Sequence, residues 1–229
     1  MKDHKFNFTV NLHNLKKYFL FAYPIIFISI FTWGISFSDR YFIEYLIGTG
    51  EVETYALLAQ VAGMGQIIGQ IYTLYVYPHA LKLFESDTKK TFEYISKMLK
   101  RLKFTFILLS VIAYFLPRQI YTVLLDGKII HQEYYFNTFF ILLIGIFTTV
   151  LQTAYSMYLN LFKRLDILSY IYLIALIINI SINYIYIKEY GILAASIATL
   201  ASYLIILLAQ IFYVQTIKKT MLYNIKSHI

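Results

Sequence analysis

Six apolar stretches, at about 18–46, 55–81, 102–116, 136–162, 167–187 and 192–214, take up most of this chain, with short charged loops between them. Most approach the ~20 residues that a helix needs to cross a bilayer. Lipid offers backbone groups no hydrogen-bond partners, so only helices and closed barrels span it. Barrel strands alternate polar and apolar residues over roughly ten positions, whereas 141–146 and 204–208 are apolar on every side. Charged residues are 14% of the chain, too few to cover a soluble surface, which carries about 25%. The reading is an all-α integral membrane protein, with six transmembrane helices forming one bundle over 18–214. A segment 1–17 precedes the bundle and a tail 215–229 follows it.

Lys and Arg set the orientation. Sixteen of them fall in the N-terminal segment, the second and fourth loops and the tail; Arg40, Arg118, Lys128 and Lys188 fall on the other side. By the positive-inside rule both termini are cytoplasmic, and so is the basic second loop, with Lys82, Lys89, Lys90, Lys97, Lys100, Arg101 and Lys103. The third span stops short at Pro117, so 119–125 is expected to continue as an interfacial amphipathic helix. The first is longer than a roughly 30 Å core requires and must tilt, kink near Pro24 or protrude. The first apolar stretch has no small-residue cleavage site after it and is read as retained in the membrane.

Several functions are excluded on these grounds. The net charge of +8 lies in loops between spans, not on a soluble groove for nucleic acid. There is no cysteine, and the five histidines are scattered outside helical ligand spacing, so neither a metal nor a thiol nucleophile is expected. Gly48-Thr49-Gly50 lacks the strand and the lysine of a phosphate-binding loop. No enzyme, catalytic residue or cofactor is expected. The many tyrosines near span ends read as interfacial anchors.

Polar side chains inside the spans carry the functional signal. Ser29, Trp33, Ser36 and Arg40 stack on one face of the first span, with Asp39 and Glu44 beside it. An intramembrane charge is costly and usually faces a bundle interior or a watery cavity; Arg40 therefore either contacts an anionic substrate or snorkels to the interface. The second span offers Gln60, Gly63, Gln66, Gln70, Thr73 and Tyr77 on one broad face, and Gly65 and Gly69 on the other as a G-x-x-x-G pair suited to close helix approach. The glutamines either line a cavity or bind neighbouring helices. Thr148, Gln152 and Tyr155 cluster in the fourth span, and Tyr172, Asn179, Asn183 and Tyr186 align in the fifth. An amide has donors and lone pairs that lipid cannot satisfy, so both asparagines point inward. Gly191, Ala194, Ala198, Ala201 and Ser202 read as a packing seam.

Pro24, Trp33, Ser38-Asp39-Arg40-Tyr41-Phe42-Ile43, Gly48, Glu51 and Tyr55-Ala56 resemble the seventh-helix region of bacterial polysaccharide flippases. Asn179, Asn183-Tyr184, Tyr190-Gly191, Ala194-Ala195, Ala198-Thr199 and Ser202-Tyr203 resemble the eleventh and twelfth helices of the same family. The chain thus resembles the C-terminal half of a lipid-linked oligosaccharide exporter, in the superfamily that also holds multidrug and toxin extrusion transporters. The resemblance implies one bundle of a twelve-helix, two-bundle transporter in the bacterial cytoplasmic membrane. Its substrate would be an undecaprenyl-pyrophosphate-linked oligosaccharide, moved by alternating access during polysaccharide biosynthesis. The partner would be an N-terminal six-helix half or a second copy of this chain. Arg40 matches the family's cationic cavity position, Asp39 would pair with it in the empty state, and Gln60, Gln66 and Gln70 are candidates for the sugar hydroxyls. Gln152, Asn179 and Asn183 complete the expected substrate-binding set. The competing readings are a drug or cation antiporter half, and a non-transporting subunit or remnant.

Overall fold

The computed structural model describes residues 12–162 and 165–226, and every regular element among them is helical. Four helical segments are long and apolar enough to cross a membrane: Ala22–Ile47, Glu133–Leu161, Asp166–Tyr190 and Ile192–Thr220. This is a multi-pass helical membrane protein. The elements are α1 (Leu12–Ile47), α2 (Thr49–Gly63), α3 (Gln66–Ser86), α4 (Thr88–Phe115), the short α5 (Arg118–Tyr121) and α6 (Gly127–Ile130), α7 (Glu133–Leu161), α8 (Leu165–Tyr190) and α9 (Ile192–Lys226).

Three elements depart from the sequence expectation. The stretch read as one second span is two helices, because Met64 and Gly65 make three-residue backbone bonds to Val61 and Ala62 and interrupt the ladder. The third stretch belongs to a helix that starts at Thr88, where the Asp87 carboxylate accepts from the Lys90 N–H at 3.0 Å and caps it. Past Pro117 the expected interfacial helix shrinks to the four residues of α5, whose Tyr121 hydroxyl turns back to the Ala113 carbonyl. Pro24 stands inside α1 without ending it.

α7 is the axis of the fold, packed against α9, α3, α2 and α4. α8 and α9 pack as a hairpin, and α1 lies along α8. The hairpin turns at Gly191, whose φ of 62° suits glycine; a Cβ there would also collide with the Tyr134 hydroxyl at 2.3 Å. Ala194, Ala195, Ala198 and Ser202 are buried along α9, and Ser202 donates to the Ala175 carbonyl of α8 at 3.1 Å, so the small-residue stripe is a packing seam. The G-x-x-x-G pair also packs as expected: a Cβ on Gly69 would lie 2.9 Å from Val150 of α7. α1 thus leans on α8 and α3 leans on α7, with no comparable packing of α1 on α3. The gap between those two helices is where the polar residues converge.

Candidate functional site

Each wall of the gap comes from a different helix. Thr32 and Ser36 of α1 face Gln66, Gly69, Gln70 and Thr73 of α3 across a cleft of about 560 Å³. Its floor is Thr149, Val150, Gln152 and Thr153 of α7, closed by Tyr172 and Tyr203. Gln152 is held in place by donating to the Tyr203 carbonyl at 2.6 Å. Ten of the thirteen residues of this lining carry a hydroxyl or an amide and none is charged, while apolar atoms supply the larger share of its surface. Ser36, Gln66 and Tyr203 also border a smaller space of about 220 Å³, lined further by Asp39, Arg40, Tyr55, Ala59, Gly63, Leu142, Ile146 and Thr199. The two spaces are compartments of one cleft.

Asp39 and Arg40 are neighbours in sequence, yet a helical step of 100° sends them to different environments. Asp39 is 2% exposed. Its Oδ2 accepts from the Tyr55 hydroxyl at 2.5 Å and from the Thr199 hydroxyl; its Oδ1 accepts from Asn183 Nδ2 at 2.7 Å and from Asn179 Nδ2 at 3.4 Å. Ser38 donates to Asn179 Oδ1, and Asn183 donates to the same oxygen at 3.2 Å. One carboxylate therefore ties α1 to α2, α8 and α9. A buried charge is tolerated only when such partners replace its hydration, and here all of them are neutral.

Arg40 is only partly covered. Its guanidinium carbon stands 5.2 Å from the centroid of the Phe37 ring, a cation–π arrangement, while its Nε is buried without a hydrogen-bond partner. The expected Asp39–Arg40 pair is not formed: among the described residues Lys90–Asp87 is the one ion pair, and the Asp39 oxygens are occupied by other donors. A cation lining a cleft with no carboxylate on it is suited to an anionic ligand.

Of the remaining sequence candidates, Gln66, Gln70 and Gln152 line the cleft. Gln60 does not: six residues of helix already set it about 120° from Gln66 around the axis, and it borders neither compartment. Asn179 and Asn183 line neither compartment, because both lie buried beside Asp39. Ser29 and Trp33 also fall outside; Trp33 is 62% exposed and stacks on Phe37 on the outer side of α1. Thr32, Thr149 and Thr153 carry no sequence expectation, and Tyr203 enters the sequence reading only through the family resemblance. The i, i+4 spacing of Thr149 and Thr153 was a usable signal, but a threonine that bonds its own helix leaves little trace in a sequence. No group of His, Cys, Asp and Glu suited to a metal occurs among the described residues. Compared with protein-family models, with characterised proteins and with solved structures, the chain matches none.

Proposed function

We propose that this chain is one bundle of a transporter that moves lipid-linked oligosaccharide, carried on an undecaprenyl pyrophosphate, across the bacterial cytoplasmic membrane. The carrying observation is the cleft itself: residues bearing hydroxyls and amides line its larger compartment, and Arg40, with no ion-pair partner among the described residues, stands in the smaller one. A guanidinium recognises a pyrophosphate by paired hydrogen bonds, and neutral donors and acceptors suit sugar hydroxyls. The distribution of Lys and Arg supports six spans with both termini cytoplasmic, counting α2 with α3 as one crossing and α4 as another. Lipid cannot satisfy an open polar cleft, so a second six-helix unit, either an N-terminal half or another copy of this chain, covers it in the working transporter. Alternating access then amounts to the two units rocking about the cleft. A drug or cation antiporter fits less well, since Asp39 is the sole carboxylate of the lining and its oxygens are taken.

The test is translocation of a lipid-linked glycan by the transporter assembled with its covering unit. Charge-assisted hydrogen bonds contribute about 1.5–3 kcal/mol each, so Arg40→Ala is expected to slow translocation by at least about tenfold, with Arg40→Lys between it and the native chain. Undiminished flipping by Arg40→Ala removes Arg40 from the mechanism.

A further inference from the structure

A second cationic pocket lies further along α3. Leu74, Tyr75, Pro78, His79, Lys82 and Tyr94 line an open groove of about 340 Å³ between α3 and the first turns of α4. Leu74 is also a wall of the larger compartment, whereas Arg40 borders only the smaller one, so this pocket adjoins the far end of the cleft. His79 and Lys82 stand three residues apart, which sets them one above the other on the same face of α3. The Tyr94 ring packs on the His79 imidazole with centroids 4.7 Å apart and holds its plane. The polar lining is thus an ammonium, an imidazole and two phenols, with no carboxylate. Lys82 has no ion-pair partner among the described residues.

Such a set is rich in donors and matches the oxygens of a phosphate, while Leu74, Pro78 and the tyrosine rings offer apolar surface to the first carbons of a lipid chain. Tyrosine and lysine together are also the side chains expected at headgroup depth. From Gln66, which borders the Arg40 compartment, to Lys82 is sixteen residues of α3, or about 24 Å of helix. That is most of a roughly 30 Å hydrocarbon core. A phosphate crossing along this path meets a cation near each end and uncharged hydroxyls and amides between them.

We propose that the His79–Lys82–Tyr94 pocket binds the phosphate of a lipid headgroup, and that an anionic lipid docks there before its head enters the cleft. The inference rests on the cleft being the passage proposed above. The experiment is native mass spectrometry of the purified full chain titrated with geranylgeranyl pyrophosphate, which counts bound molecules and their affinities. The native chain is expected to take two. His79→Asn/Lys82→Met is expected to weaken one of them by about ten- to a hundredfold, whereas Lys97→Met, at an exposed lysine of α4, leaves both intact. Lys82→Gln alone, on an exposed side chain that folding does not need, is expected to lose about tenfold and serves if the double variant misfolds. Unchanged binding in the pocket variants overturns the proposal. Arg40→Ala separates the two readings: if it removes a site while the pocket variants do not, the pocket fails and the cleft stands. If the pocket variants remove a site and Arg40→Ala does not, the pocket stands and the cleft reading is weakened. Repeating the titration in nanodiscs with and without phosphatidylglycerol identifies the source. Retained affinity assigns the pocket to the prenyl pyrophosphate, and displacement assigns it to the phospholipid headgroup; either is phosphate binding at this pocket.

Discussion

Removing the Asp39 carboxylate should loosen the bundle by a predictable amount. Asp39→Ala takes the acceptor away from four donors, on Tyr55, Thr199, Asn179 and Asn183. The two amides keep an alternative, since Asn183 Nδ2 already lies 3.2 Å from Asn179 Oδ1 and Asn179 Nδ2 lies 3.4 Å from the Thr199 hydroxyl oxygen. The hydroxyls of Tyr55 and Thr199 are left stranded. Each stranded buried donor costs about 1–3 kcal/mol, so the loss should be about 2–6 kcal/mol. At about 2–4 °C per kcal/mol for a chain of this size, the melting temperature should fall by about 4–24 °C. Asp39→Asn should behave differently. Its Oδ1 still accepts from both hydroxyls, and its new N–H faces Asn183, whose amide, turned over, presents the oxygen that has no partner in the native chain. A loss of about 1 kcal/mol is expected. The assay is thermal unfolding of the purified chain in detergent, with Glu44→Ala as the control, because Glu44 is exposed on the same helix. An Asp39→Ala protein that melts with the native one would refute the assignment of Asp39 as the tie between helices. Equal losses from Ala and Asn would refute the hydrogen-bond reasoning behind it.

The close approach of α3 to α7 predicts that Gly69→Ala, whose new Cβ would lie 2.9 Å from Val150, destabilises by about 1–3 kcal/mol, and that adding Val150→Ala recovers most of it in the same melt. Because the chain has no cysteine, single cysteines can map the cleft: Gln70→Cys and Thr153→Cys should react with a charged maleimide, and Ile30→Cys, exposed on the outer side of α1, should not. Gln70→Cys and Thr153→Cys proteins that stay as unlabelled as Ile30→Cys would mean that the cleft is not wet. At the start of α4 the Lys90 N–H and ammonium beside Asp87 hold its carboxyl below the ordinary aspartate range. The cap therefore contributes at every pH above that range and is lost as pH falls through the lowered value. NMR titration of Asp87 should give a midpoint below 3.8, moving up in Lys90→Ala.

The helical class and the inward turn of the asparagines were legible because lipid leaves few alternatives: a run such as 204–208 has one way to satisfy its backbone, and a buried amide must find a partner. The break at Met64 and Gly65 was not, since glycine at 63 and 65 reads equally as a packing device, which Gly65 also is against Phe147 and Ile146. Gln60 stands apart for a simpler reason, since six residues of helix turn it about 120° from Gln66. The fate of Asp39 was hidden for another reason: its donors come from positions 55, 179, 183 and 199, and only the packing of α1 between α2, α8 and α9 brings them together.

The adjacency of Asp39 and Arg40 then acquires a physical meaning. Two opposite charges in sequence on a helix point about 100° apart and attract through space without pairing, and an uncompensated carboxylate beside the cleft would weaken its hold on an anion. Here four neutral donors from three other helices compensate the carboxylate, and the guanidinium is left with an aromatic ring and an unused N–H. The tie that holds α1 against the bundle is the same arrangement that leaves Arg40 available. A variant that removes the two donors on Oδ2, Tyr55→Phe with Thr199→Val, should therefore leave that oxygen's charge uncompensated beside Arg40 while the asparagines still hold Oδ1. The measurable result is weaker binding of a pyrophosphate probe in a protein whose Arg40 is untouched. Unaltered affinity in that folded double variant would separate the two functions, leaving Asp39 as a structural tie with no influence on the cation beside it.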